Sequence, residues 1–345
     1  MENNELRSLP VDEVIEKVGV AQAIGIKKVA SLLFTYRCTI ACQHCLFSCN
    51  PHQPDICVSL ENGIEFLRQL RATDRVIHIA GGEAMMYYRR MMKICKSANE
   101  QGFAPHFFET NASWCINDEV TQKRYIEMKQ AGIKGVLISA DAYHQAFVTP
   151  KRRYRAFDWA VRIFGRENVA ASDISLTALA ELRKISRSED LLKEYVQKHT
   201  PRLVGSAGEK LAKFCTPRPI DELTKDTLWR SASEDKGCDP EFDSDRMWEI
   251  HIDPYGNIQT CCGIIIGNAH EKPLVEWMKQ GFHTDNELVR MAYEQGPYGY
   301  LELAKKRGYK PKDGYPQKCN LCWEVRKFLR PYYPETFGPA EIYGL

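Results

Sequence analysis

Short apolar runs alternate with stretches of helical spacing through the first two thirds of the chain. Val29 to Tyr36 is rich in β-branched and aromatic side chains and reads as a buried strand. Ser59 is placed to cap a helix whose face is Leu60, Ile64, Leu67 and Leu70. Val76 to Ala80 is the next strand, and the helical stretch that begins near Met86 stops at Gly102. The pattern then repeats. Pro105 to Glu109 is a strand, and a helix through Val120, Tyr125 and Met128 stops at Gly132. Gly135 to Ile138 is a strand, and a helix with Phe157, Ala160, Val161 and Phe164 stops at Gly165. Val169 to Leu176 is a fifth strand, and a sixth βα unit is expected within Leu191 to Phe214. Such alternation means βαβ units and a parallel sheet, with successive crossovers curling the same way. Periodicity alone allows either a doubly wound open sheet or an incomplete barrel.

The flanks differ. Residues 1–26 read as a helical extension, with Val11, Val14, Ile15 and Val18 on one face. After residue 215 the βα rhythm ends. Thr216-Pro217-Arg218-Pro219 reads as a linker, and Glu234 to Asp245 is acidic and turn-rich. Trp248 to Ile252 alternates as a strand, Asp253 to Asn257 is a turn, and Ile258 to Cys261 returns as its hairpin partner. Helices near 287–295 and 299–306 follow, and the aromatic, Pro-rich tail from Phe328 to Tyr343 is expected to wrap rather than coil. The division is thus 1–26, 27–215 and 216–345.

Composition narrows the function classes. A hydrophobic fraction of 44% and a charged fraction of 27% are those of a globular protein. A formal charge of +2 gives no nucleic-acid footprint, and Lys151-Arg152-Arg153 reads as a solvated helix face. No apolar run is long enough to cross a membrane, and Met1 to Glu5 lacks the pattern of a secretory signal. A cytoplasmic location is the expectation. No Walker loop, G-x-G-x-x-G or Ser/His/Asp triad stands in the chain. Thirteen cysteines, an odd number, point to metal rather than disulfides in that compartment.

Three of them, Cys38, Cys42 and Cys45, have the spacing C-x3-C-x2-C directly after the first strand. That is where α/β sheets and barrels place their sites. Three thiolates leave a four-iron cube one ligand short; a zinc site completed by Cys49 is the alternative. The motif resembles the signature loop of the radical S-adenosylmethionine (SAM) enzymes, with His44 where that family prefers an aromatic residue. The resemblance implies a partial (β/α)6 TIM-type barrel, a SAM-binding [4Fe-4S] cluster and SAM itself. It also implies that Gly81-Gly82-Glu83, just past the second strand, holds the methionine end of SAM, with Glu83 on the amine. Polar residues at strand ends, Thr110, Asn111, Ser139 and Asp141, face such a site. Among them Ser139 is the expected ribose contact, and Asn111 is also assigned to the cofactor.

A second set, Cys238, Cys261, Cys319 and Cys322, resembles the cysteine-rich α+β "twitch" domain, a shortened SPASM domain, and implies one auxiliary [4Fe-4S] cluster. The 22 residues between Cys238 and Cys261 exceed the family's usual spacing, and Cys262 is open as a replacement for Cys261. Neighbouring strand residues face opposite ways, and the Gly256-x4-Cys261 turn spacing favours Cys261 as the ligand, with Cys262 packing or donating a hydrogen atom. A closed zinc site is the alternative here too. The resemblance implies reductive cleavage of SAM to a 5′-deoxyadenosyl radical and abstraction of a substrate hydrogen. It further implies an electron donor of flavodoxin or ferredoxin type. The substrate expected is a ribosomally made peptide, with a small-molecule dehydrogenase as the second enzymatic reading and a zinc-binding interaction protein as the non-enzymatic one.

Overall fold

A computed structural model describes residues 3–171, 174–225, 237–260 and 262–345. The chain divides into two compact units, the first Met1–Ile40, Asn50–Leu192 and Ile252–Gly256, the second Ala41–Cys49, Lys193–His251 and Asn257–Leu345.

In the first unit, α1 (Asn3–Ser8) and α2 (Val11–Ile26) precede the strand β1 (Val29–Leu33). The helix α3 (Leu60–Arg71) then leads to β2 (Val76–Ala80), α4 (Tyr88–Glu100) to β3 (Phe107–Thr110), and α5 (Asp118–Gln130) to β4 (Gly135–Ile138). The short α6 (Ala142–Gln145) and α7 (Pro150–Phe164) come before β5 (Val169–Ala170), and α8 (Leu176–Ile185) follows it. The strands lie in the order β5-β4-β3-β2-β1 and all four pairings are parallel. All five residues of β1 are buried, as befits a parallel sheet covered on both faces.

Local chemistry sets the helix ends. Ser59 and Asn117 cap α3 and α5 by accepting from Asn62 N and Val120 N. Gly102, Gly132 and Gly165 have φ of 81°, 88° and 90° just past their helices, in the left-handed region where glycine bears no side-chain penalty. Asp12 joins the helical extension to the sheet. It pairs with Arg71, His106 and Lys134, and the hydrogen bonds from His106 and Arg71 hold its carboxyl well below the usual range.

Two expectations are corrected here. The fifth strand ends at Ala170, because Ser175 caps α8 by accepting from Ala178 N; residues 172 and 173 lie outside the described residues. The sixth βα unit forms no strand among the described residues. Its segment holds α9 (Glu189–Lys198) and α10 (Gly205–Lys210), since no apolar run there exceeds two residues.

The second unit contains β6 (Glu249–Ile252) as far as His251, with β7 (Asn257–Thr260) and β8 (Ile265–Asn268) as neighbours in that order. The β7–β8 pair is antiparallel. The helices α11 (Leu274–Gln280), α12 (Glu287–Gln295), α13 (Pro297–Lys305), α14 (Lys318–Leu329) and α15 (Pro334–Phe337) complete it. The tail is therefore short helical turns rather than a wrapped coil, with Phe337, Ile342 and Tyr343 buried. No helix among the described residues is long and apolar enough to cross a membrane.

Candidate cofactor sites

The end of β2 is fastened to the chain leaving β1. Gly82 N donates to Thr35 O (2.7 Å) and Glu83 N to Arg37 O (3.0 Å). A Cβ at Gly82 would lie 2.0 Å from Arg37 O and 3.0 Å from Cys38 N. Gly81 has φ 126°, and a Cβ there would lie 2.6 Å from Thr35 O. The two glycines therefore let backbone pack on backbone, and that contact sets the peptide leading into Cys38.

Glu83 follows and is 1% exposed. Its carboxylate accepts from Thr110 Oγ1 (3.1 and 3.0 Å to its two oxygens), Asn111 N (2.9 Å) and Met85 N (3.3 Å). Among the described residues no cation pairs with it. Burial pushes its pKa up to about 7 against those hydrogen bonds. Thr110 Oγ1 accepts from Ala112 N (3.0 Å) and Trp114 Nε1 (2.9 Å). With both lone pairs taken, its own hydrogen is directed to Glu83.

Asn111 links this carboxylate to the cysteine loop. Its backbone N–H goes to Glu83, and its side-chain Nδ2 donates to Thr39 Oγ1 (3.1 Å) and Cys38 Sγ (3.5 Å). Cys38, Glu83, Gly81, Gly82 and Asn111 are thus brought together within the first unit. Ser139, the expected ribose contact, donates to Glu109 Oε1 (3.0 Å) across the neighbouring strand ends. Thr110 and Asn111 were marked by their place at a strand end; Trp114 was not, and only its position four residues on, on the same loop, hints at it.

Cys42, His44 and Cys45 lie in the second unit. Cys42 Sγ and a ring nitrogen of His44 are within 4.8 Å of one another. Cys45 O accepts from Ser206 N (2.9 Å), and Cys45 Sγ accepts from Cys49 N (3.3 Å). Hydrogen bonds from the Cys49 side chain and backbone hold the Cys45 pKa down to about 6, which favours the thiolate that binds metal. The donor set of the loop therefore fits an iron–sulfur cluster.

The other cysteines of the second unit line one buried cavity. Cys238, Cys262, Cys319 and Cys322 share its wall with Arg202, Glu241, Lys318 and Arg326. Cys319 and Cys322 sit in the first turns of α14, three residues apart on one face. Gln317 pins that helix start by accepting from Leu203 N (2.8 Å) and donating to Pro201 O (2.9 Å). Cys238 N donates to Ala292 O (3.0 Å), and Lys318 Nζ donates to Gly237 O (2.7 Å). Burial pushes the Cys322 thiol up to about 11 and raises Cys238 and Cys319 as well. Four desolvated thiols on one cavity fit a cationic metal core that would draw them into the ionised form.

Cys262 lies just past the end of β7, in a turn with Gly263 at φ 79°. Cys261 lies outside the described residues.

The profile described as the Radical SAM superfamily matches residues 32–177. No match was found among curated proteins. Among solved structures, the chain is similar to BtrN in complex with AdoMet and 2-DOIA, at 14% identity over 78% of this chain and 88% of that one, TM-score 0.40. It is similar to HydG, a maturase of the [FeFe]-hydrogenase, at 14% identity over 58% of this chain and 49% of that one, TM-score 0.32. It is also similar to anSMEcpe with bound AdoMet, at 10% identity over 88% and 97% of the two chains, TM-score 0.33.

Proposed function

From the premise that residues 32–177 are a radical SAM domain and the chain a radical SAM enzyme, we propose that it oxidises a peptide by hydrogen abstraction, with a second iron–sulfur cluster held by Cys238, Cys262, Cys319 and Cys322. One observation carries the reading. Asn111 bonds Cys38 through its side chain and Glu83 through its backbone, so a proposed ligand of the first cluster and a buried carboxylate that no cation among the described residues pairs with are joined by one residue.

Cys38, Cys42 and Cys45 would hold the first cluster, and Glu83 the α-ammonium of SAM, the cation its burial calls for. When bound, cluster and SAM supply the hydrogen-abstracting adenosyl radical. The chain's part is placement. Gly81 and Gly82 set the path of the peptide before Cys38, Thr110 and Asn111 orient Glu83, and Ser139 with Glu109 would meet the ribose. Cys262 is preferred over Cys261 in the second set because it lines the cavity that Cys238, Cys319 and Cys322 line. Four thiolates leave no open iron, which favours electron transfer over anchoring of a substrate. The peptide substrate rests on the pairing of the two cysteine sets, which resembles peptide-modifying members of the family. A cytoplasmic setting and a flavodoxin- or ferredoxin-type donor go with the reading.

Anaerobic reconstitution should give about eight irons, two four-iron clusters. Changing Cys38, Cys42 and Cys45 together to Ala should leave about four and abolish SAM cleavage. Four irons in the unaltered chain would remove the second cluster. With short peptides encoded beside the gene, mass spectrometry should find the loss of two hydrogens; 5′-deoxyadenosine formed with no peptide altered would discard the peptide substrate.

A further inference from the structure

We infer that Arg326 tunes the second site for accepting an electron, as a buried guanidinium beside the four cysteines that raises the reduction potential of the cluster they hold. The inference rests on the proposed second cluster. Cys319, Cys322 and Arg326 fall at helical offsets of three and four along α14, so the thiols and the cation share one face. Arg326 is fully buried and lines the same cavity. Its NH2 donates to Cys262 O (2.8 Å), and its NH1 to Tyr343 Oη (3.3 Å) and Gly263 O (3.4 Å). These acceptors are neutral. Its Nε is buried with no hydrogen-bond partner among the described residues, and no carboxylate pairs with the group there. A buried cation served only by neutral acceptors is costly unless an anion completes its surroundings.

The cavity shows which anion would do so. Arg202 pairs with Glu241 at 2.7 Å, both buried, so those two charges cancel. Arg326 adds a positive charge to the wall that no carboxylate among the described residues offsets. A [4Fe-4S]2+ core with four thiolates carries two negative charges, and one-electron reduction makes it three. A fixed positive charge favours the more negative state, and net charge and hydrogen bonds to sulfur are what set such potentials. In turnover the electron would come from the substrate radical left by hydrogen abstraction. That radical is oxidised with loss of one electron and one proton, the electron reduces the cluster, and the proton goes to solvent.

The test uses the full chain with Cys38, Cys42 and Cys45 changed to Ala, so that the second cluster is the one titrated. Dithionite titration followed by electron paramagnetic resonance reads its midpoint. Arg326→Gln should shift the one-electron equilibrium about tenfold toward the oxidised state, a fall of about 59 mV. Arg326→Lys keeps the charge and should shift it by less than about half as many millivolts. An unmoved potential in Arg326→Gln with iron retained overturns the inference, as does Arg326→Lys moving as far as Arg326→Gln. If Arg326→Gln fails to hold iron, the chain with Arg326 intact decides. Guanidinium stays charged between about pH 6 and 9, so its potential should be flat there; a slope near 59 mV per pH unit would mean that a proton balances the electron, and would overturn the inference. Absence of iron from the triple-Ala chain would instead overturn the second cluster, and this inference with it.

Discussion

At the end of β2 a buried carboxylate, Glu83, stands among hydrogen-bond donors with no cation among the described residues. The α14 cavity reverses this arrangement, with the buried guanidinium of Arg326 in its wall among neutral acceptors, and Arg202 paired with Glu241. Burial is costly for charge of either sign, so each region is built around the charge its occupant would bring. On the proposed reading, the first would receive an ammonium and the second a dianionic cluster. The protein backbone differs in the same sense. Gly81 and Gly82 press a strand end against the peptide of the cysteine loop, whereas the second set gathers its thiols from a helix, a turn and a loop.

The largest effect should come from the backbone contact of the first region. In Gly82→Ala the new methyl would meet Arg37 O at 2.0 Å, and neither backbone can yield without moving Cys38. The iron count should fall from about eight to about four, with the second cluster kept. A full iron count and normal SAM binding would show that the glycine pair is only a turn.

The second region is tested by its adjacent cysteines. Cys262→Ala should lose about four irons, and Cys261→Ala should keep both clusters. This reverses the preference that the sequence supports, and the opposite iron counts would restore it. The reason for the reversal is physical. Cys262 lines the cavity of Cys238, Cys319 and Cys322, while Cys261 lies outside the described residues.

Next in size is the carboxylate. Glu83→Gln should weaken SAM binding by about 2–5 kcal/mol, the cost of stripping one partner from a buried charge pair, with iron content unchanged. The pH dependence has a definite sign. Burial raises the Glu83 pKa to about 7, so below that pH the empty site holds a proton that an ammonium must displace. Calorimetric SAM affinity should therefore fall as pH drops from about 7 to 5.5, by at most about tenfold per unit. In Glu83→Gln that slope should vanish. A slope that survives the substitution would place the titrating group elsewhere.

Much of the first region was legible because its chemistry is local. Cys38 follows β1 and Gly81-Gly82-Glu83 follows β2, and strand ends follow from apolar runs. The parallel sheet was legible for the same reason. What escaped depends on contacts between distant residues or on turns without strong signals. The hydrogen bond from Trp114 to Thr110 leaves no mark in periodicity. The strand β8 and the helix α11 follow a turn at Gly263 that apolar spacing does not announce. Arg326 was readable in principle, since Cys319-x2-Cys322-x3-Arg326 repeats at helical spacing, but that spacing carries meaning only once the segment is known to be a helix.

The smallest effect belongs to Trp114, and it separates orientation from packing. Its indole N–H occupies one lone pair of Thr110 Oγ1, and Ala112 N occupies the other, which leaves the hydroxyl hydrogen for Glu83. Trp114→Phe keeps an aromatic ring in a nearly buried place but frees one lone pair, so the hydroxyl can turn away. The expected loss in SAM affinity is about 1 kcal/mol, the net worth of one hydrogen bond. A double-mutant cycle identifies its origin. If the indole acts by orienting Thr110 toward the charged carboxylate, Trp114→Phe should cost SAM affinity in the unaltered chain and nearly nothing in a Glu83→Gln background. An equal cost in both backgrounds would mean that Trp114 supports the loop by packing against Tyr125, its edge-on neighbour at 5.2 Å, and that Thr110 orients Glu83 without it.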